Sequence, residues 1–158
     1  MRKTALSLFF LACLGLPAED WGPLQFLAGE WVGEGGGQPG ETSAGSFSFA
    51  PDLQGTILVR KSFAQYPAAN GRPASRHEDL TVVYRDAVSK QLRATYWDNE
   101  GHVIQYRVEP VQGGAVLASD EYRLTYTAAG KDQVKIKFEV AQPGKGFVTY
   151  LEARARRK

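Results

Sequence analysis

Val134-Lys135-Ile136-Lys137-Phe138-Glu139-Val140 places four apolar residues on one side of an extended chain and Lys, Lys and Glu on the other. Side chains alternate along a strand, so the stretch reads as a β-strand with one dry face and one wet face. Working outward, the same alternation recurs at 46–49, 57–63, 80–84, 92–97, 102–108, 121–126 and 147–153, with a shorter run around Leu117. Turn signals separate these runs: Asp98-Asn99-Glu100-Gly101, Gly113-Gly114, Ala129-Gly130-Lys131-Asp132 and Pro143-Gly144-Lys145-Gly146. The longest loop is 67–73, around Asn70-Gly71. Only 21–27, with Pro23 near its start, reads as a short helical turn. Many short strands without crossover helices make an all-β fold. The expectation is a single antiparallel up-and-down β-barrel of about 8–10 strands, closed by the short N-terminal helical turn. No internal repeat and no second domain are visible.

Length and composition agree with this. The chain has 158 residues, enough for one domain, and its 17 Gly against a single Met favour strands and turns over helices. One Cys excludes a disulfide framework and a Cys-based zinc site. With two His, no metal centre is expected.

Residues 1–18 read as a signal peptide. Arg2 and Lys3 precede an apolar run over 4–16, interrupted by Ser7 and Gly15. That run is shorter than the roughly 20 residues needed to span a bilayer core of about 30 Å, so no transmembrane segment is expected. Pro17-Ala18 before Glu19-Asp20 marks cleavage after Ala18 and leaves 19–158 as the barrel domain. A rival reading makes Phe10-Leu11-Ala12-Cys13 a lipoprotein site with Cys13 as the anchor. Both export the protein, to a periplasmic or extracellular location. Without residues 1–18 the chain carries 17 bases and 17 acids. The tail Arg154-Ala155-Arg156-Arg157-Lys158 stands alone as a basic run and reads as a solvated end, so no nucleic-acid partner is expected.

Turning each strand's apolar face inward gives an interior of Phe47, Phe49, Ile57, Val59, Leu80, Val82, Leu92, Ala94, Ile104, Val108, Leu124, Val134, Ile136, Phe138, Phe147 and Leu151. The same registers bring in Tyr84, Tyr96, Tyr106, Tyr122 and Tyr126, together with Glu78 and His102. A buried phenol without a partner costs roughly 1–3 kcal/mol. An interior holding five of them suits an amphipathic cavity, with these residues as its ligand-binding set. The competing reading places the tyrosines at the rim, hydroxyls in water.

Gly29-Glu30-Trp31, directly after the helical turn, resembles the opening of the calycin superfamily of lipocalins and fatty-acid-binding proteins. The resemblance implies that Trp31 closes one barrel end against a late arginine, Arg154 or Arg156. Within that superfamily, 29–35 is similar to the first strand of nitrobindin-type barrels, and His77-Glu78 to their mid-chain element. Tyr150-Leu151-Glu152-Ala153 resembles the last-strand segment that carries the haem-ligating histidine there. Tyr150 occupies the ligand position, a departure that argues against haem, and no cofactor is expected. The segment 98–103 is closer to uncharacterised bacterial calycin-like proteins.

Other motifs dissolve in context. Gly35-Gly36-Gly37-Gln38-Pro39-Gly40 has the letters of a dinucleotide fingerprint but opens no helix, and reads as a hairpin loop at the barrel mouth. His77, Glu78 and Asp79 gather three polar groups suited to an acid–base pair or a partial metal site, but adjacent strand residues face opposite ways, so His77 and Glu78 do not both enter the cavity and His77 reads as a loop-edge residue. His102 heads an inward face and suits a hydrogen bond to a ligand, metal coordination or acid–base work near neutral pH; the competing reading satisfies it with a neighbouring tyrosine or glutamate. No nucleophile elbow is present, and no catalytic residue is assigned. The expected function is an exported binding protein for a small lipophilic or amphipathic molecule. The alternatives are a haem or acid–base barrel of nitrobindin type, and a filled barrel that acts through its surface on an envelope partner.

Overall fold

The computed structural model describes residues 20–34, 44–68, 71 and 73–158. The signal segment 1–18, Cys13, the glycine loop 35–40 and Asn70 lie outside the described residues.

Ten antiparallel strands close into one up-and-down barrel. They are β1 (Gly29–Gly33), β2 (Ala44–Asp52), β3 (Ile57–Tyr66), β4 (Ser75–Arg85) and β5 (Leu92–Asp98). The second half is β6 (Val103–Val111), β7 (Gly114–Ala118), β8 (Tyr122–Ala128), β9 (Gln133–Gln142) and β10 (Gly146–Arg157). Each strand pairs with its successor, and β1 pairs with β10 through Trp31↔Arg157 and Val32↔Arg156, which closes the ring. The β7–β8 pair is tight enough that a Cβ on Gly114 would overlap the carbonyl of Tyr126.

The single helical turn before β1 is a 3-10 helix, Gly22–Leu27. Its sequence explains the choice. Trp21, Leu24 and Leu27 recur every third residue, the period that aligns side chains on a 3-10 face, and all three are fully buried. Asp20 Oδ1 accepts the Gly22 N–H at 2.8 Å, and Pro23 supplies the helical φ at the start. This face plugs one end of the barrel against β6 and β7 and joins Trp31, Phe47, Phe49, Leu58 and Val83 in one core cluster.

Arg157 fastens the plug. Its guanidinium lies 4.4 Å from the Trp31 ring centre and donates to the carbonyls of Ala28 at 2.6 Å and Phe26 at 2.9 Å. Trp31 Nε1 donates to Leu27 O at 2.8 Å. The closing arginine is therefore Arg157, and the expected roles of Arg154 and Arg156 are corrected. Both sit at exposed even positions of β10, Arg156 facing Glu34 at 3.7 Å. Arg157 points inward because it shares a face with buried Ala155.

Two further corrections concern faces. Along β3 and β4 the inward residues are Leu58, Arg60, Thr81 and Val83, whereas Ile57, Val59, Leu80, Val82 and Tyr84 lie on the outer wall. Both strands carry apolar and charged residues on each side, so alternation alone does not pick the interior face. On β10 the register against β9 shifts between Thr149 and Leu151, so Tyr150 is the extra residue of a bulge. The bulge turns Phe147 outward, beneath the Arg123 guanidinium at 3.8 Å, while Leu151 stays inward beside Phe138.

Candidate functional site

Strands β3 to β6 present a polar stripe to the inside of the barrel. Arg60 on β3 and Thr81 on β4 are register partners, and Asp79 lies two residues along from Thr81 on the same face. Arg60 Nη1 donates to Asp79 Oδ1, with only 9% and 6% of the two side chains exposed. Burial by itself lowers the Arg60 pKa, but Asp79, Tyr126 and Tyr96 outweigh it and raise the pKa above the usual value. The guanidinium also lies 5.4 Å from the centre of the Phe47 ring.

Among the described residues, three buried side-chain atoms have no hydrogen-bond partner: Arg60 Nε, Thr81 Oγ1 and Tyr126 Oη. They belong to one neighbourhood. Arg60 and Thr81 pair across β3 and β4, and Tyr126 packs its ring 6.2 Å from Phe47, the ring that Arg60 covers. Burial pushes the Tyr126 phenol up to about 12, with Arg60 drawing it down and Asp79 adding to the rise.

Further from the plug, a chain of polar contacts spans the opposite end. Glu100 Oε1 lies 3.0 Å from His77 Nδ1, and His77 Nε2 lies 3.0 Å from Tyr96 Oη. Tyr96 Oη donates to Asp98 Oδ2 at 3.1 Å, and the same oxygen meets His102 Nδ1 at 2.8 Å. Asp98 Oδ1 accepts the backbone N–H groups of Glu100 at 3.0 Å and His102 at 2.9 Å. Burial works against a charged Asp98, yet these donors prevail and hold its carboxyl below the usual range. Burial, with Asp79 and Asp98 adding to it, keeps the Tyr96 phenol neutral well above the ordinary range. The single Tyr96 proton has two possible destinations. Where His77 Nε2 carries a hydrogen the Tyr96 proton goes to Asp98; where Nε2 is bare it goes to the imidazole.

The sequence-expected residues divide accordingly. Tyr96, Tyr106, Tyr122 and Tyr126 face inward; Tyr106 is buried, and Tyr122 stacks on Phe138 at 5.8 Å. His102 sits in the β5–β6 turn with its side chain exposed, reaching the site only through Asp98. Glu78 and Tyr84 are corrected: both lie on the outer wall, where Glu78 pairs with Arg76 at 2.8 Å and Tyr84 pairs in register with Ile57. Tyr150, 57% exposed on its bulge, meets Phe138 edge-on at 6.0 Å.

Sequence reasoning missed Arg60, Thr81, Asp98 and Glu100; it weighed the cluster of His77, Glu78 and Asp79 but set it aside, with His77 as a loop-edge residue. The available signal was the alternate register of β4, His77-x-Asp79-x-Thr81-x-Val83, which matches Leu58-x-Arg60 across the ladder.

Two clefts mark the outer wall. One, of about 540 Å³, is lined by residues that include Glu34, Lys135, Lys137, Glu152 and Arg154. The other, of about 370 Å³, runs past Lys61, Glu78, Leu80 and Trp97 and reaches Asp79 and Asp98.

No protein-family model matches this chain, and no curated protein matches it.

Proposed function

We propose that this protein is an exported, calycin-like binding protein that carries a small amphipathic molecule inside the barrel. The observation behind this reading is that Arg60 Nε, Thr81 Oγ1 and Tyr126 Oη are buried without partners, on residues linked by the Arg60↔Thr81 register and by the Phe47 ring. Each such atom costs roughly 1–3 kcal/mol, an expense that a ligand's polar end would offset. Ile104, Val108, Leu124 and Ile136 pack against the same core and suit the ligand's apolar body. The calycin assignment draws on the ten-strand closure with Trp31 under a C-terminal arginine, and export on the short apolar run over 4–16. The reading needs no catalytic residue. It also needs no nucleic acid, and the outward Lys135 and Lys137 on β9 do not suit a lipid-facing wall.

The test is displacement of a fluorescent fatty-acid analogue from the wild type, Thr81→Val and Tyr126→Phe. Both substitutions remove an unpartnered oxygen, so stability is expected to hold or rise while probe affinity falls about tenfold or more. Equal affinity in all three proteins would contradict the assigned pocket.

A second reading has its own support. Ile57, Val59, Leu80, Val82 and Tyr84 form an apolar stretch on the outside of β3 and β4, flanked by the exposed Trp97 and Val103. A barrel that acts through this wall on an envelope protein is the alternative to a carrier.

A further inference from the structure

We infer that His77, Asp98 and Glu100 form a binding site for a divalent first-row transition cation of the Zn²⁺ class, at the barrel end opposite the helical plug. The inference does not depend on the carrier reading. One ligand atom from each residue lies within 4.8 Å of the others. In a tetrahedral site with bonds of about 2.0–2.1 Å, neighbouring ligand atoms stand roughly 3.3 Å apart. His77 Nδ1 and Glu100 Oε1 already stand 3.0 Å apart, so the remaining closure, at most about 1.5 Å, is towards Asp98, and side-chain rotation of an exposed Glu100 and a half-buried His77 supplies it.

Two of the hydrogen bonds around these residues are of the kind that supports a metal ligand set, and binding would exchange the His77 Nδ1–Glu100 contact for bonds to the cation. With His77 Nδ1 on the cation, Nε2–H remains free to donate to Tyr96 Oη at 3.0 Å, the outer contact that fixes a ligating imidazole's tautomer and orientation. Asp98 is held by two backbone N–H groups on Oδ1, which leaves Oδ2 turned towards Tyr96 and His102. Its side chain is 4% exposed and fixed in place by those two donors.

Charge balance points the same way. Three carboxylates surround the His77 ring, and Asp79, 3.8 Å from Nε2, is already matched by Arg60. Asp98 and Glu100 are left beside the His77 and His102 imidazoles, and their two negative charges equal those of a dication. A nitrogen donor beside two carboxylates favours Zn²⁺, Co²⁺ or Fe²⁺ over Mg²⁺ and Ca²⁺, which take oxygen ligands throughout.

The experiment is titration of the untagged protein with Co²⁺, read by its visible absorption, followed by Zn²⁺ and Mg²⁺ calorimetry. The expected result is one saturable Co²⁺ site per chain that Zn²⁺ displaces, with no comparable heat from Mg²⁺. His77→Ala and Glu100→Gln should each weaken binding beyond the roughly 10–100-fold that outer partners carry. Glu100 is an exposed turn residue, so that variant retains the fold if His77→Ala does not. Absence of a saturable site, equal binding in Glu100→Gln, or a preference for Mg²⁺ would overturn the assignment.

Discussion

Arg60 and Asp79, nineteen residues apart in sequence, meet as an ion pair inside the barrel between β3 and β4. Both charges lie on the inward faces of their strands, and each depends on the other, because a buried charge left without its partner is far more costly than the pair. Asp79→Asn is therefore expected to destabilise the fold by about 3–5 kcal/mol, because it strands the guanidinium. Replacing both, Arg60→Met with Asp79→Leu, should recover most of that loss. Urea unfolding of the single and double variants measures the difference, and a double variant as weak as the single would contradict the argument.

Closure of the plugged end rests on Arg157 rather than on its basic neighbours. Arg157→Ala removes a cation–π contact worth about 0.5–2 kcal/mol and the two donors to Phe26 O and Ala28 O. Arg154→Ala and Arg156→Ala change exposed side chains and should stay within about 0.5 kcal/mol of wild type. Thermal melts of the three variants, with Trp emission as the local probe, separate these roles.

Alkaline titration reaches the barrel interior. Tyr126 is pushed up to about 12 by burial, against about 10 for an exposed phenol. A raised folded-state pKa means that the native state holds this proton more tightly. The associated stability is complete below pH of about 10 and is lost as pH rises towards 12. Ultraviolet difference spectra should show an ionisation step near pH 12 that disappears in Tyr126→Phe. Ionisation of every tyrosine near pH 10, with the fold intact by circular dichroism, would contradict the burial.

The barrel was legible because its signals are local. Period two at 134–140, the turn sequences and the spacing of Trp21, Leu24 and Leu27 all act within a few residues. Four of the five tyrosines expected inside are inside, since β5, β6 and β8 have one unambiguous apolar face. The site was less legible because its faces are set by pairing at a distance. Nothing near Arg60 announces Asp79, and the apolar side of β4 pointed to Glu78 and Tyr84 instead. The β10 bulge misled in the same way: one extra residue, Tyr150, reverses the side on which Phe147 lies. His102 and Glu100 reach the site from a turn, where alternation gives no direction.

The central claim, that the interior holds a small molecule at Arg60, Thr81 and Tyr126, is most directly tested by native mass spectrometry of protein purified from its own host without detergent. The account predicts a discrete mass excess that is lost on denaturation and is reduced in Thr81→Val and Tyr126→Phe. A bare polypeptide mass that stays bare after incubation with excess fatty acids and other amphiphiles would contradict it.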